Sequence, residues 1–293
     1  MALHGRRKGN LVRWLVTGSA GMLGTDLVDL LRDRGEDVTA SDREDLDITD
    51  PVAVDAAVPG HDVVVNCAAW TAVDDAEERE ADAFRLNAVA AAHLARSAAT
   101  HGARLVHVST DYVFDGAADA PYAEGAPVAP RSAYGRTKAA GEWAVRAEAH
   151  DHLVVRTAWL YGRHGACFPR TIARVAAERG GLDVVADQLG QPTWTRDLAD
   201  LVHRLVLAGA PTGIYHGTSS GITSWFDFAR EVVGSAGLDP AIVRPTSSEA
   251  FVRPAPRPAY SALGHDALRA AGVAPIGDWA QRWAEAAQEV LGA

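Results

Sequence analysis

The sequence predicts an α/β protein with a doubly wound parallel sheet and a smaller C-terminal α/β lobe. Three observations support this prediction. Apolar, strand-like runs alternate with helical segments through the first half of the chain. A glycine-rich turn at residues 18–24 follows the first of these runs and opens the first predicted helix. After Trp159 the alternation loosens, so a second lobe is expected there.

Five predicted strands make up the sheet. Each is a short apolar run rich in β-branched residues, as expected for a parallel sheet that is covered on both faces. The predicted strands span residues 11–17, 37–41, 62–67, 104–108 and 153–156.

Helices connect these strands. The first is predicted to run to about Asp33, because Gly35 is suited to end a helix. Pro51 fits the first turn of a brief second helix. Longer helices are predicted over the alanine-rich residues 81–101 and over residues 132–150. The second half predicts helices at 168–179, 195–207, 224–236 and 279–291, and an irregular proline-rich loop at 240–258.

The glycine turn predicts a dinucleotide site on a Rossmann-type sheet. Gly18, Gly21 and Gly24 stand where the backbone must turn sharply, approach a pyrophosphate and let a helix pack closely on a strand. The N-terminus of that helix offers unpaired N–H groups to the phosphates. An acidic residue is expected about 20 positions later, and Asp42 can accept hydrogen bonds from the adenosine ribose there. The adjacent Arg43 can pair with a 2′-phosphate instead, so NADPH and NADH both stay open.

Tyr134 and Lys138 lie four residues apart on a predicted helix, which places a phenol and an ammonium on one face. A phenol with a pKa of about 10 is a poor acid at neutral pH, and a neighbouring ammonium is expected to lower that pKa. Thr110 follows the fourth strand, where ligands of open α/β sheets bind, and is the candidate for orienting a carbonyl oxygen. The three residues predict hydride transfer between a nicotinamide and a carbonyl, with Tyr134 moving the proton.

The chain is expected to divide into two parts. Residues 11–159 are the predicted dinucleotide-binding domain, and residues 160–293 are the predicted substrate-binding lobe. A segment near 195–220 is predicted to return to the first domain.

Composition narrows the class of protein. The net charge of −10 argues against nucleic-acid binding. The basic residues 1–13 lack the apolar core of a secretory signal, and no uncharged run approaches the roughly 18 residues that a membrane span needs. Cys67 and Cys167, far apart in the chain, indicate free thiols. We therefore expect a cytoplasmic protein without membrane contact.

Longer motifs show a family resemblance. The chain resembles the extended short-chain dehydrogenase/reductase superfamily and, more narrowly, the dTDP-4-dehydrorhamnose reductase family. The strings S-T-D-Y-V-F-D-G at 109–116 and D-Q-x-G-x-P-T at 187–193 are the most specific matches. More widely shared motifs lie at 18–24, 45–50, 66–74, 134–142, 156–162 and 224–229.

The resemblance implies an activity. The family reduces the C4 keto group of a dTDP-4-keto-6-deoxy-L-hexose with NADPH or NADH, as in the conversion of dTDP-4-dehydro-L-rhamnose to dTDP-L-rhamnose. The alternatives are a dTDP-dihydrostreptose synthase or another antibiotic deoxysugar 4-ketoreductase, and a non-catalytic regulatory subunit on the same fold. A 4,6-dehydratase usually has glutamate after the Thr-Asp pair, where this chain has Tyr112. A 4-epimerase would keep its nicotinamide bound.

The resemblance also implies site residues by position. The implied catalytic residues are Thr110, Tyr134 and Lys138. The implied coenzyme contacts, with those of the glycine turn, are Gly18, Gly21, Met22, Leu23, Gly24, Asp42, Arg43, Asp47, Ile48, Ala68, Ala69, Thr71, Tyr134 and Lys138. The implied substrate contacts are Val73, Asp74, Thr110, Asp111, Tyr112 and Trp159.

The chain departs from the family pattern at two positions. Trp70 stands where the family usually has tyrosine or histidine, and Cys167 stands where it often has asparagine. Some family members bridge a homodimer through magnesium held by carboxylates, but no motif here carries that site over, so no metal ligand is assigned and magnesium and a homodimer both stay open. Arg253 and Arg257 are the nearest basic groups for a nucleotide diphosphate.

Overall fold

The structure is a computed structural model and describes residues 11–292, so most of the basic segment at 1–13 lies outside the described residues. Its strands are β1 (Arg13–Thr17), β2 (Asp37–Ser41), β3 (Val63–Asn66), β4 (Arg104–Thr110), β5 (His152–Thr157), β6 (Leu160–Tyr161), β7 (Leu182–Val185), β8 (Leu189–Gly190), β9 (Thr193–Trp194), β10 (Gly213–His216), β11 (Thr223–Ser224) and β12 (Val243–Thr246). Its α-helices are α1 (Met22–Asp33), α2 (Pro51–Ala57), α3 (Asp75–Glu78), α4 (Glu80–Phe84), α5 (Ala90–His101), α6 (Ala133–Glu148), α7 (Phe168–Arg179), α8 (Thr195–Leu207), α9 (Trp225–Ser235), α10 (Asp266–Ala270) and α11 (Trp279–Leu291).

A six-stranded parallel sheet forms the centre, in the order β10-β5-β4-β3-β1-β2. The predicted doubly wound sheet is therefore confirmed. The strand order reverses between β1 and β3, and an open α/β sheet has its binding crevice beyond the carboxyl ends of the strands at such a reversal. The fold thus places a crevice next to the glycine turn.

Both faces of the sheet are buried. In β3, Val63 and Val65 pack with α1 and α8, whereas Val64 packs on the opposite face with α2 and α5. This alternation follows from the two-residue period of a strand. All three side chains are fully buried, and each such burial contributes about 1.5–3 kcal/mol. The central strands are consequently held rigidly from both sides.

The long helix predicted over 81–101 is confirmed, but it contains a π-helical turn at Arg85–Val89 between α4 and α5, which the sequence did not predict. The turn contains the buried Asn87, whose Oδ1 accepts a hydrogen bond from Trp70 N at 2.8 Å. Its Nδ2 donates to Thr137 Oγ1 at 3.0 Å. Single π-helical turns often lie at functional sites. Here the turn fixes the loop after β3 against α6.

The C-terminal lobe packs α7, α9 and α11 around the buried side chains of Tyr161, Phe228 and Trp283. The predicted irregular loop over 240–258 is wrong in part, because β12 lies within it and pairs in parallel with β7. A two-stranded sheet has only edges, which tolerate the proline in β12. Residues 195–216 return to the central sheet, where α8 packs on α1 and β10 pairs with β5. Within residues 11–292, none of the helices has the length and apolar character needed to cross a membrane.

Candidate active site

A cleft of about 1150 Å³ opens at the carboxyl ends of the central strands. It runs from Asp42, just after β2, to Trp225 at the start of α9. All of the predicted coenzyme contacts line it, namely Gly18, Gly21, Met22, Leu23, Gly24, Asp42, Arg43, Asp47, Ile48, Ala68, Ala69, Thr71, Tyr134 and Lys138. Of the predicted substrate contacts it is lined by Val73, Thr110, Asp111, Tyr112 and Trp159.

The glycine turn has the shape that a pyrophosphate requires. Gly18 has a φ of +68°, and a Cβ there would lie 2.6 Å from Ala68 N. A Cβ at Gly24 would collide with the Gly18 carbonyl oxygen. Helix α1 begins at Met22 without a side-chain cap, so its first N–H groups are available to an anion in the cleft. These residues fit the diphosphate of a dinucleotide.

At the end of the cleft next to β2 lie an acidic and a basic residue, the two charges by which a site can distinguish NADH from NADPH. Asp42 and Arg43 both line it, and Asp42 Oδ1 accepts a hydrogen bond from Arg43 N at 2.8 Å. Nearby, hydrogen bonds from Thr49 hold the pKa of the Asp47 carboxyl below its usual value. The geometry accommodates a ribose hydroxyl at Asp42 and a phosphate at Arg43.

Helix α6 brings the predicted catalytic residues together. Ser132 caps it by accepting a hydrogen bond from Gly135 N at 3.1 Å, so the helix starts just before Tyr134. Tyr134, Lys138 and Thr110 all line the cleft. Lys138 Nζ donates to Val108 O at 2.6 Å, and Thr110 Oγ1 accepts from Tyr112 N at 3.2 Å. The three side chains form one cluster at the end of β4.

The expectation that Lys138 lowers the pKa of Tyr134 is wrong for this structure. Burial raises the Tyr134 pKa, and only the hydrogen bond with Thr110 acts against it. Burial lowers the pKa of Lys138 to about 8, while the charges of Glu142 and Cys67 act in the opposite direction. Desolvation dominates because both groups are buried. Tyr134 therefore holds its proton at neutral pH, and burial makes it a weaker acid than a free phenol.

Asp111 is a buried carboxyl group directly beside this cluster. Thr110 Oγ1 donates to Asp111 Oδ1 at 2.8 Å. Because Thr110 donates its proton to Asp111, its oxygen is left to accept, and it accepts from Tyr112 N at 3.2 Å. Burial raises the pKa of Asp111 to about 6. The hydroxyl orientations around Thr110 thus depend on the charge of Asp111.

Glu142 and Arg156 form a buried ion pair, and the charge of Glu142 acts on Lys138. The sequence analysis gave this ion pair no role. Arg156 Nη2 lies 2.7 Å from Glu142 Oε2, and both side chains are only 2% exposed. Ser109 Oγ donates to Glu142 Oε1 at 2.6 Å. These contacts join α6 to β4 and β5. The signal in the sequence was a glutamate one helical turn after Lys138 and an arginine inside an apolar strand.

Aromatic side chains form the far wall of the cleft. Trp159 stacks on Trp225 with ring centroids 3.6 Å apart and planes 10° apart, and Phe168 lies 4.4 Å from Trp225. Trp159 has a φ of +48°, which bulky residues rarely adopt and which is common at functional sites. Cys167 lies beside them in the cleft. Sequence reasoning found Trp159 but missed Trp225 and Phe168, which only the lobe packing brings to the cleft.

The structure places Asp74 differently from the prediction. Its carboxylate is not part of the cleft lining; it forms ion pairs with Arg253 and Arg257. Cys67 and Cys167 are both free thiols, and burial raises the pKa of Cys67 to about 12. Within residues 11–292 there is no cluster of three or more His, Cys, Asp or Glu side chains that could hold a metal ion.

A glycine turn at a helix N-terminus, together with a Tyr-x-x-x-Lys pair at the end of the fourth strand, defines a nicotinamide-dependent oxidoreductase of the short-chain dehydrogenase/reductase class. The family model described as the RmlD substrate binding domain matches residues 12–291. The chain therefore belongs to this family.

Relatives and solved structures agree with this placement. A protein from Streptomyces antibioticus, named a probable dTDP-4,6-dihydroxy-2-methyloxan-3-one 4-ketoreductase, is 53% identical over 96% of this chain and 97% of its own length. A dTDP-4-dehydrorhamnose reductase from Streptomyces griseus is 51% identical over 91% of this chain and 90% of its own length. The crystal structure of dTDP-4-dehydrorhamnose reductase from Bacillus anthracis in complex with NADP has a TM-score of 0.91 and 36% identity, over 94% of this chain and 99% of that chain.

Proposed function

We propose that this protein reduces the C4 keto group of a dTDP-4-keto-6-deoxy-L-hexose with NADPH or NADH. The observation that carries the proposal is the cluster of Tyr134, Thr110 and Lys138, which line the cleft at the end of β4. The named activities of the relatives support the same reaction. Residues 11–159, with the segment near 195–220, would hold the coenzyme, and the remaining lobe would hold the sugar nucleotide.

The residues divide the reaction between them. The nicotinamide, when bound, supplies the hydride that forms the new bond to C4. Thr110 and Tyr134 orient the carbonyl oxygen, and Tyr134 gives its proton to that oxygen as the carbonyl bond opens. Lys138, which also lines the cleft, would hold the nicotinamide ribose. The product is an alcohol, and the phenol regains its proton from solvent.

The coenzyme is proposed to be either nicotinamide dinucleotide. The related reductase from Bacillus anthracis was solved with NADP, which agrees with Arg43 in the cleft. Asp42 beside it suits the unphosphorylated ribose of NADH. The rates with NADPH and with NADH are compared in the wild type and in Arg43→Gln. This comparison measures the preference for each coenzyme and the contribution of Arg43 to it.

The sugar is proposed to be dTDP-4-dehydro-L-rhamnose, giving dTDP-L-rhamnose. The alternative is an antibiotic deoxysugar, as for a dTDP-dihydrostreptose synthase, and the named substrate of the Streptomyces antibioticus relative favours this second class. That ring, a 4,6-dihydroxy-2-methyloxan-3-one, has fewer hydroxyl groups than a 4-keto-6-deoxyhexose. Coenzyme oxidation measured with a panel of dTDP-4-keto sugars, with and without the extra hydroxyl, decides between them.

Replacing Tyr134 with Phe tests the catalytic assignment. General acid catalysis contributes about 10²- to 10⁴-fold, so kcat should fall by that factor while coenzyme affinity stays within about twofold. Tyr215→Phe is the matched control, because Tyr215 donates only to Pro211 O outside the cleft. Near-normal turnover in Tyr134→Phe would refute the assignment. Coenzyme binding without turnover of any 4-keto sugar by the wild type would favour the regulatory subunit.

A further inference from the structure

A buried carboxyl group joins the helix of the glycine turn to two other elements of the fold. Asp26 lies on α1, one helical turn after Met22, and is only 5% exposed. Its Oδ2 is hydrogen-bonded to Thr195 Oγ1 at the start of α8. The same hydroxyl oxygen lies 3.2 Å from Tyr161 O in β6. Asp26 is therefore one end of a hydrogen-bond chain that connects α1, α8 and β6 behind the cleft.

The chain of groups is closely packed. A Cβ at Gly162 would collide with Thr195 Oγ1 and would lie 3.3 Å from both Asp26 Oδ2 and Met22 Cγ. The side chains of Thr195 and Tyr161 are fully buried. Buried polar groups in folded proteins are almost always hydrogen-bonded. The carboxyl group, the hydroxyl group and the Tyr161 carbonyl are shielded from solvent, so they must satisfy one another.

Counting protons shows which form of Asp26 completes this chain. The Thr195 hydroxyl has a single O–H, which it can donate either to Asp26 Oδ2 or to Tyr161 O. A carboxylate and a carbonyl can only accept. If Asp26 is protonated, its O–H is donated to Thr195 Oγ1 and the Thr195 O–H is donated to Tyr161 O. If Asp26 is ionised, it takes the proton of Thr195, and Tyr161 O loses this donor.

The charges that face Asp26 are compatible with the protonated form. Burial raises the pKa of Asp26, and the hydrogen bond with Thr195 and the charge of His164 act in the opposite direction. His164 Nε2, on the loop after β6, lies 3.7 Å from Asp26 Oδ1, and its side chain is 34% exposed. Arg196 on α8 and Glu289 on α11 act with opposite sign and are paired with each other at 2.8 Å. Within residues 11–292, no lysine or arginine forms an ion pair with Asp26.

We propose that Asp26 keeps its proton in the folded protein and, as a neutral carboxyl group, positions the N-terminus of α1 for the coenzyme. It is a positioning residue, because it acts through Thr195 and Tyr161. The uncapped N–H groups of α1 are the ones available to the pyrophosphate. Leu160, the neighbour of Tyr161, lines the cleft, so the chain of hydrogen bonds links the coenzyme helix to the far wall.

The neutral form also matters for charge. A carboxylate one helical turn from the N-terminus of α1 would add a negative charge close to the site of an anionic ligand, and like charges repel. Ionisation of Asp26 should therefore weaken coenzyme binding both by breaking the chain and by adding this charge. The proposal rests on the proposed function in one respect only, which is that the ligand of the glycine turn is NADPH or NADH.

Infrared difference spectroscopy of wild type and Asp26→Asn tests the proton directly. At neutral pH the wild type should show the C=O stretching band of a protonated carboxyl group, and Asp26→Asn should lack it. Asp151→Asn is the matched control, because Asp151 Oδ1 accepts from the guanidinium of Arg104 at 2.7 Å, so this substitution should remove no such band. A band of equal intensity in wild type and Asp26→Asn would overturn the proposal.

Titration with NADPH at a series of pH values tests the positioning role. In the wild type, Kd should rise by up to about tenfold per pH unit once the free protein loses this proton. Asp26→Asn, whose amide still donates to Thr195, should lack this rise and should bind within about twofold of the wild type at low pH. Asp26→Ala, which cannot donate, should bind about tenfold more weakly.

The pH profiles isolate Asp26 because the other titrating groups of the cleft are kept. Asp111 and Lys138 are present in the wild type and in Asp26→Asn, so the difference between the two profiles belongs to Asp26. Identical profiles of the two proteins would overturn the positioning role.

Chemical denaturation distinguishes failure of this proposal from failure of the proposed function. An aspartate in the unfolded chain ionises near about pH 4. As the pH rises above that value, the wild type should lose free energy of unfolding relative to Asp26→Asn, because only its folded state retains the proton. A difference that is constant with pH would contradict the proposal. If the wild type binds neither NADPH nor NADH, the proposed function fails, and the infrared and denaturation measurements still decide whether Asp26 holds its proton.

Discussion

The cleft has two walls that are built by different means. The coenzyme wall, from residues 18–24, 42–48 and 67–71, lies on the parallel sheet, and backbone conformation determines most of its shape. The lobe wall consists of Trp159, Phe168 and Trp225, and its shape comes from side chains that meet across long stretches of chain. Both walls are partly open to solvent: Gly21 and Arg43 of the first are exposed, and Trp159 and Trp225 of the second are half-buried.

This difference indicates that one wall controls coenzyme binding and the other controls the choice of substrate. The sheet and its glycine turn tolerate few substitutions, because a side chain at Gly18 would displace the backbone of the neighbouring loop. The lobe wall can change its side chains without disturbing the sheet. Coenzyme chemistry is therefore fixed by the fold, and substrate choice depends on exchangeable side chains. Four predictions test this division.

The largest expected effect tests the buried ion pair of Glu142 and Arg156, which joins α6 to β4 and β5. Glu142→Gln leaves the guanidinium of Arg156 buried without a counter-charge, and loss of one partner from a buried pair costs about 3–5 kcal/mol. Chemical denaturation should show that loss in the free energy of unfolding. Glu178→Gln breaks the exposed pair with Arg174 and should change it by less than about 0.5 kcal/mol. An equal loss of unfolding free energy in the two variants would contradict the expected difference between a buried and an exposed ion pair.

The next prediction concerns the glycine turn itself. Gly18 and Gly35 have similar positive φ values of +68° and +74°, but only Gly18 has backbone atoms where a Cβ would stand. Gly35→Ala should cost about 1 kcal/mol of backbone strain. Gly18→Ala adds overpacking, about 2–4 kcal/mol in total, and should weaken NADPH binding at least tenfold. Denaturation and coenzyme titration measure both effects, and normal NADPH binding by the Gly18→Ala variant would refute the predicted pyrophosphate site.

A substitution in the lobe wall should affect the substrate and leave the coenzyme unaffected. Trp225→Ala removes the stacking partner of Trp159 and opens the wall. Loss of an aromatic contact costs about 0.5–1.5 kcal/mol beyond its area, so KM for the sugar nucleotide should rise about tenfold. Coenzyme affinity should not change. Trp143→Ala, at an exposed indole on α6, is the control. Steady-state kinetics, with each substrate varied in turn, measures KM for the sugar nucleotide and for the coenzyme. An equal rise in both KM values would contradict the separate roles of the two walls.

The last prediction concerns how kcat/KM for the coenzyme depends on pH. Burial lowers the Lys138 pKa to about 8, so raising the pH through that value removes the ammonium. The value of kcat/KM for the coenzyme, which reports the free enzyme, should fall about tenfold per unit above pH 8. Arginine keeps its proton, so Lys138→Arg should be slower but should lack this fall. In Glu142→Gln the charge that favours protonated Lys138 is gone, and the fall should move to lower pH. A profile unchanged by either substitution would contradict the assignment.

Local sequence signals predicted the central sheet well but failed where distant segments meet. The apolar run at residues 63–65 and the glycine turn mark β3 and the start of α1 by residue type alone. The helix predicted over residues 81–101 missed the π-helical turn, because that turn places Asn87 against Trp70 and Thr137, which lie elsewhere in the chain. The loop predicted over residues 240–258 missed β12, because its pairing partner β7 lies far back in the chain.

The candidate site divides in the same way. Spacing alone identified Tyr134 and Lys138 as neighbours on one helix face, and the structure places both in the cleft. The expected effect of the lysine on the phenol failed, because burial is a property of the folded molecule that spacing does not report. Asp74 stays a predicted sugar contact, and the structure adds its ion pairs with Arg253 and Arg257, which lie far away in the sequence.

The sequence by itself determined the central strands, the glycine turn and the helix that presents the tyrosine, because these depend on residues close together in the chain and on backbone preferences. Only the tertiary structure decided which charges are buried, which indoles stack and which carboxylate Arg253 and Arg257 contact. Those features depend on contacts between segments that are distant in the chain, and their energies are set by desolvation, which exists only after the chain has folded.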